Sequence, residues 1–445
     1  MMGDEYGSRG GLTDNSLFQE AEQVMNCLLE AGFSAYMVGG CVRDPLIGRP
    51  IYDVDIATSA HPEQVVALFP KVIPTGLQHG TVTVVMPQNT YEVTTFRKEA
   101  AYEGHRRPEE VEFIDDLDED LRRRDFTINA MAKDVNGCIH DPFGGQADLR
   151  RLIIRCVGTA EERFREDALR MMRGVRFASL LGGVFAKSTW KALRVNRETL
   201  AFVAMERVRD ELWKLTAGPN PARGWGLLVR SGLLGHTKEP LGALASTDAA
   251  VWQPLLCALG EVDTAENRMA LLLLGHEVDE AEAQRIVQAL RCSGAQQDAM
   301  LAVLRADARL AAGGTAALAA AGEDSGALDA WRRSFAETLF AVGEQGLRDA
   351  LACRRALLGV GAAREYAAAM QPFLQHGEAW LEDIPVRGLR DIALTGSDVL
   401  QATERMAGPW LRQCLEQVWL SVALGELANE REALLDYVRK AWNEQ

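Results

Sequence analysis

The chain reads as an α+β protein: a mixed α/β unit comes first and an all-helical remainder follows. Short alternating apolar segments occur up to about residue 155, and after residue 160 the apolar period turns helical. No repeat of solenoid type interrupts this order.

Residues 1–16, "MMGDEYGSRGGLTDNS", are polar and acidic and lack the apolar centre of a signal peptide, so a flexible lead-in is expected. Residues 17–31 repeat apolar positions at helical spacing and stop at Gly32. Strand-like pieces follow: "AYMVGG", "YDVDIAT", "GTVTVVM", "YEVTTFR", "FTINAMAKDV" and "CIHD". They predict a mixed unit over 17–155. "REDALRMMRGVRFASLLG" and "RVRDELWKLTAG" then read as helices. Further helical segments are expected over 236–375 and 376–445. The Ala/Gly-rich stretch 306–328 reads as a helix pair with a loose connection.

Composition narrows the function classes. No run of eighteen apolar residues occurs, so no membrane span is expected. Eight cysteines without a CxxC pair suggest neither a disulfide framework nor a zinc site, and a reducing cytoplasm fits. The net charge of −15 argues at first against a nucleic-acid partner. Its distribution argues the other way: residues 1–150 carry −12, residues 151–235 carry +8 and residues 236–445 carry −11. A positive belt between acidic regions can hold an anion, although a solvated helix face would look the same.

The stretch "VGGCVRDPLIGRPIYDVDIATSA" carries the chemistry. Residues two apart in a strand share a face, so Asp53 and Asp55 are expected side by side while Val54 and Ile56 enter a core. Two carboxylates held together raise each other's pKa unless a cation lies between them, and magnesium with phosphate oxygens suits that need. DxD alone also fits two solvent-facing aspartates, or a metal-dependent glycosyltransferase. Gly39 and Gly40 add a backbone that can approach a phosphate closely, and Arg43 can reach the same anion with its planar fork. Glu92, on a neighbouring strand, is a candidate third metal ligand.

Two arginine constellations follow. In "DLRRRDFTINAMA", three arginines run into an apolar strand and place Arg124 and Asp125 at its edge, facing a cleft. In "REDALRMMRGVRF", Asp167, Arg170, Arg173 and Arg176 recur every three residues along one helix row. Ion pairs such as Glu166 with Arg170 explain part of that row. They do not explain why it is bordered by Met171, Met172, Val175 and Phe177, which must be buried.

With these motifs together, the chain resembles the class II tRNA nucleotidyltransferases, the bacterial CCA-adding enzymes of the DNA polymerase beta-like superfamily. "GGCVRD…DVDIATSA", "RRDFTINAMA", "DPFGGQADL…IIRCVG", "EDALRMMRGVRFA" and "ERVRDELWKL" are similar to its five motifs in order. The resemblance implies a polymerase-beta-like head (17–155), then an all-α neck (156–235), body (236–375) and tRNA-binding tail (376–445). It implies that Asp53 and Asp55 bind Mg2+, that Gly39, Gly40, Arg43 and Arg124 contact the nucleotide, and that Asp167, Arg170, Arg173 and Arg176 line its pocket. Asp167 and Arg170 would read the base. The partners would be tRNA, through acceptor stem and elbow, with CTP and ATP as substrates and no obligate protein partner. Pro45 departs from the family's usual leucine, but proline suits a first helical turn.

The base-reading role has a physical basis. Cytosine and adenine each present an amino donor beside a ring-nitrogen acceptor, and guanine and uracil reverse that pattern. A carboxylate beside a guanidinium matches the first pair and leaves both groups unpaired against the second. A poly(A) polymerase and partial A-adding or CC-adding enzymes share the same head. "PTGLQHGTVTVVM" and a full-length loop between the first two motifs, with residues 98–112 expected to reshape the pocket for ATP, favour complete CCA addition. The single His-Asp dipeptide, His140-Asp141, lies in the "CIHDPFGGQADL" run of the mixed unit, so the phosphohydrolase function of some relatives is not expected.

Overall fold

The computed structural model describes residues 15–99, 111–320, 327–362 and 366–442. The expected lead-in before residue 15, most of the 98–112 loop and the connection at 321–326 lie outside the described residues. The chain divides into two compact units, Met1–Pro240 and Leu241–Gln445.

The first unit opens with helix α1 (Asn15–Glu30), whose Ala21, Val24, Met25 and Leu28 are fully buried at helical spacing. Strands follow: β1 (Ala35–Val38), β2 (Asp55–Thr58), β3 (Val72–Gly76), β4 (Thr81–Val85), β5 (Thr90–Thr95), β6 (Arg97–Glu99), β7 (Val111–Phe113), β8 (Ala132–Lys133) and β9 (Ile139–His140). Seven of them form one sheet in the order β3-β4-β5-β2-β1-β8-β9. The β2–β5 pair is parallel and the other pairs are antiparallel. Val38, Ala57, Phe96, Leu121, Ala130, Ala132 and Val157 pack together as a core cluster of this unit. Short helices α2 (Gly40–Arg43), α3 (Pro62–Leu68), α4 (Leu117–Arg122) and α5 (Gly145–Arg150) are set among the strands.

Helices α6 (Ala160–Glu166), α7 (Leu169–Leu180), α8 (Lys187–Asn196), α9 (Met205–Ala217) and α10 (Pro221–Ser231) complete the unit. Two features differ from the sequence reading. Strand pairing does not end near residue 155, because β10 (Ile153–Ile154) pairs in parallel with β11 (Val184–Phe185). The run after Arg124 is not an extended strand either: Thr127–Asn129 is a buried 3-10 turn, and only Ala132–Lys133 joins the sheet. Side-chain bonds explain the turn. The Thr127 hydroxyl donates to Asp148 at 2.8 Å, and the Asn129 amide donates to Asp125 at 3.0 Å.

The second unit is helical: α11 (Ala249–Ala258), α12 (Ala265–Gly275), α13 (Glu280–Ala289), α14 (Gly294–Ala320), α15 (Ala327–Gly359, kinked at Gly343), α16 (Ala367–Asp383), α17 (Gly396–Thr403), α18 (Pro409–Ala423) and α19 (Arg431–Trp442). Its core gathers Leu310, Phe335, Leu351, Phe373, Trp380 and Trp419. Residues 306–320 of the Ala/Gly-rich stretch are the second half of α14 and residues 327–328 begin α15, and small residues of α14 allow α16 to approach closely. A Cβ on Gly314 would stand 2.1 Å from the Ala369 carbonyl oxygen. The division expected at 375/376 falls inside α16, which continues because Phe373 and Trp380, seven residues apart, bury on one face. Among the described residues, no helix is long and apolar enough to cross a membrane.

Candidate active site

The acidic centre is built by strand register. In the parallel β2–β5 pair Asp55 stands opposite Glu92, so the candidate third carboxylate is a direct cross-strand neighbour. The expected alternation holds: Val54 and Ile56 are buried while Asp53 and Asp55 are open. Asp53, however, lies in the segment just before β2 and not within the strand. Asp55 is reached by solvent yet crowded by protein. Burial, then the charges of Asp53 and Glu92, push its pKa up to about 6, while Arg124 pulls it down.

That pressure is what a divalent cation relieves, and the residues fit one. Asp53, Asp55 and Glu92 line a single cleft. Among the described residues, no three such side chains already converge as a closed cage. A hard cation that keeps water and takes further oxygens from a phosphate does not need one.

Gly39 caps the start of α2 with φ +78°, a conformation that favours glycine. A Cβ there would point toward Asp55 Oδ2 at 3.7 Å and Arg124 Nη1 at 3.9 Å, so bare backbone faces the acidic centre. Arg43, at the end of α2, is buried. Its Nε donates to Asp44 at 2.9 Å, Nη2 to the same carboxylate at 2.8 Å, and Nη1 to Asn129 Oδ1 at 2.6 Å.

Asn129 extends the network. Its amide donates to Asp125, which accepts from Arg173 Nε at 2.8 Å. Burial alone would raise the Asp125 pKa, but Arg173, the Asn129 bond and Arg170 hold it at about 2. Arg173 also lies 3.7 Å from Glu211, whose other oxygen takes Arg176 Nε at 2.5 Å. Arg124 donates to Asp120 at 3.2 Å and lines the cleft. A continuous chain of polar side chains thus runs from Arg43 to Arg176.

The expected helix row is broken at its start. Asp167 caps α6 with extended backbone, and α7 begins at Leu169. Asp167 therefore does not stack over Arg170. Its Oδ2 takes Arg207 Nη2 at 2.7 Å, and its Oδ1 takes the Leu169 amide at 3.1 Å. Arg170 is buried and makes the expected ion pair with Glu166 at 2.6 Å, with a further bond to the Arg123 carbonyl at 2.9 Å. Met171, Met172, Val175 and Phe177 are buried as expected.

One cleft of about 1120 Å³ collects all of these candidates: Gly39, Gly40, Arg43, Asp53, Asp55, Glu92, Arg124, Asp167, Arg170, Arg173 and Arg176. It also takes in Asp44, Asn129, Phe177, Arg207 and Glu211. Arg207 and Glu211 were not singled out from the sequence, although they sit four residues apart in the quoted "ERVRDELWKL", a spacing that places both on one face of α9. A space with carboxylates at one strand pair and guanidinia along α7 can hold a polyanion together with its counter-cation.

Comparison with known proteins agrees with this chemistry. The "Poly A polymerase head domain" model matches residues 35–155, and tRNA nucleotidyltransferase domain 2 matches residues 260–438. Residues 185–240 match a "Probable RNA and SrmB- binding site of polymerase A". The CCA-adding enzyme of Geobacillus stearothermophilus is 41% identical over 422 residues, covering 94% of this chain and 95% of that protein. The crystal structure of the Bacillus stearothermophilus CCA-adding enzyme in complex with CTP aligns with a TM-score of 0.75 at 37% identity, covering 95% of this chain and 97% of that one. The Thermotoga maritima CCA-adding enzyme complexed with tRNA shares the fold, with a TM-score of 0.64 at 18% identity over 96% of each chain.

Proposed function

The chain belongs to the CCA-adding enzymes, and from that premise we propose how its cleft selects and joins nucleotides. The protein adds C, C and A to the 3′ end of tRNA from CTP and ATP, releasing pyrophosphate. It is a nucleotidyltransferase of the polymerase-beta type, a class that generally uses divalent metal ions.

Asp53 and Asp55 are the residues that would hold magnesium, with Glu92 as a third oxygen donor. Bound there, magnesium supplies activation of the RNA 3′-hydroxyl and stabilisation of charge on the departing pyrophosphate. Gly39 and Gly40 present backbone to the nucleotide, and Arg43 and Arg124 present guanidinia. The observation that carries the reading is that Asp53, Asp55, Asp167 and Arg170 share one cleft.

Selection of the base falls to Asp167 and Arg170. A carboxylate offers about four lone-pair sites, and Asp167 uses three, on the Leu169 amide and on both terminal nitrogens of Arg207. One acceptor stays available for the amino group of C or A. Arg207 thereby fixes the carboxylate without consuming it. Arg170 is anchored by Glu166 and by the Arg123 carbonyl, and its guanidinium lines the cleft with Asp167, on the side proposed for the ring nitrogen. No complementary strand is needed, because the protein edge plays that part. The positive segment 151–235 would track acceptor-stem phosphates, and the tail would take the elbow. The cytoplasm, where tRNA is processed, is the expected location.

The test is extension of a tRNA ending at its discriminator base. CTP alone should add two nucleotides, ATP alone none, and both together three. Long extension by ATP alone would identify a poly(A) polymerase instead.

A further inference from the structure

Phe177 lies on α7 within the cleft, 5% exposed, and no role in the reaction follows from the base-reading scheme. Three guanidinia surround its ring. Arg176 stands 4.2 Å from the centroid, Arg43 5.1 Å and Arg173 5.5 Å. They come from two separate elements, α2 and α7, and all three lie against this one ring.

We propose that Phe177 is a positioning residue for the nucleotide's phosphates, its aromatic ring holding Arg43, Arg173 and Arg176 as one preset surface of N–H donors. This rests on the reading that the cleft takes CTP and ATP.

The physical reasoning starts from what else could hold three cations together. Each guanidinium already has a carboxylate: Asp44 for Arg43, Asp125 for Arg173 and Glu211 for Arg176. A fourth carboxylate in place of the ring would hold them, but it would tip a balanced cluster to net negative charge, occupy N–H donors and repel a triphosphate. A leucine would fill the space and offer no attraction. A phenyl ring attracts all three through its quadrupole and accepts no conventional hydrogen bond, so N–H donors remain for the ligand. Arg176 illustrates this: among the described residues only its Nε is engaged, and its terminal nitrogens carry no hydrogen bond. Burial and the neighbouring Arg173 both disfavour its charge, against Glu211, so the attraction of the ring face has an energetic purpose.

The ring itself is fixed. It meets Phe126 edge-to-face at 5.9 Å and 78°, and Phe126 is fully buried against Gly174, where a Cβ would come within 2.9 Å. Because CTP and ATP share their triphosphate, the effect should fall on both alike and leave base choice untouched.

The test replaces Phe177 with mono-, tri- and pentafluorophenylalanine in the full-length enzyme. Shape is nearly kept while the negative face is progressively withdrawn. KM for CTP and for ATP should rise together, step by step, reaching about tenfold, the equivalent of one or two lost cation–π contacts. The value of kcat and the CTP-over-UTP preference should stay within about threefold. Phe177→Leu should match the end of the series. A flat series overturns the proposal, as does a rise for one nucleotide only. Failure of the unsubstituted enzyme to incorporate CTP would instead overturn the reading on which the proposal rests.

Discussion

The Asp167 carboxylate is held by Arg207, 2.7 Å away across forty residues of chain, and not by Arg170 in its own motif. The proposed base-reading acceptor is therefore oriented by a residue of α9. Removing that clamp should leave the acceptor present but loosely aimed. Arg207→Ala is expected to lower the CTP-over-UTP ratio of kcat/KM by about tenfold, one charge-assisted hydrogen bond's worth. Because Arg207 is part-exposed, the melting temperature should barely move. An unchanged ratio would mean that Asp167 needs no external clamp.

Asp53→Ala and Asp55→Ala should each abolish nucleotide transfer while leaving tRNA affinity nearly intact. The positive segment expected to meet the RNA lies at 151–235, away from both in sequence. Filter binding beside single-turnover incorporation separates the two effects. Equal loss of affinity and activity would count against separate roles.

Asp125 links the arginines proposed to bind the nucleotide to the fold, and its pKa gives a pH signature. Burial raises it, yet Arg173 and the Asn129 bond bring it down to about 2, below its ordinary value of 3.8. A depressed carboxylate contributes stability above its unfolded pKa and loses it as pH falls through the folded one. Asp125→Asn should therefore cost about 2 kcal/mol at neutral pH. The difference from wild type should shrink between about pH 4 and pH 2. Chemical denaturation across that range checks it. A pH-independent difference would mean that shape and not charge carries the effect.

In the helical unit, Arg354 and Asp307 form an almost fully buried pair, with Arg354 Nε 2.7 Å from Asp307 Oδ1. Arg354→Ala strands a buried carboxylate and should destabilise by about 3–5 kcal/mol. The double change Arg354→Met with Asp307→Leu should cost far less, since no charge is left unpaired. Urea unfolding followed by tryptophan fluorescence compares the two.

How much of this was legible beforehand follows from the range of each interaction. The Asp53–Asp55 pattern could be read because two-residue alternation is local, and Val54 and Ile56 are buried as it requires. That Glu92 stands opposite Asp55 depends on strand register, which one strand alone does not encode. The break at Asp167 was hidden because Ala168 and Leu169 favour helix. Arg207, distant in sequence, holds the residue at which α6 ends. The apolar run "FTINAMA" has strand-like composition, yet Thr127 and Asn129 bond to Asp148 and Asp125 and fold it into a turn. The Val184–Phe185 strand is two residues long, too short to leave a period.

The claim that the protein itself is the template is tested most directly by kcat/KM for all four nucleotides with Asp167→Ala. The change removes the proposed acceptor for the base amino group and leaves the Arg170 guanidinium in the cleft, where its charge favours a carbonyl oxygen. UTP should gain on CTP by about ten- to a hundredfold, the equivalent of roughly 1.5–3 kcal/mol. Full retention of the preference for CTP over UTP would contradict the templating role and leave Asp167 as the ion-pair partner of Arg207 alone.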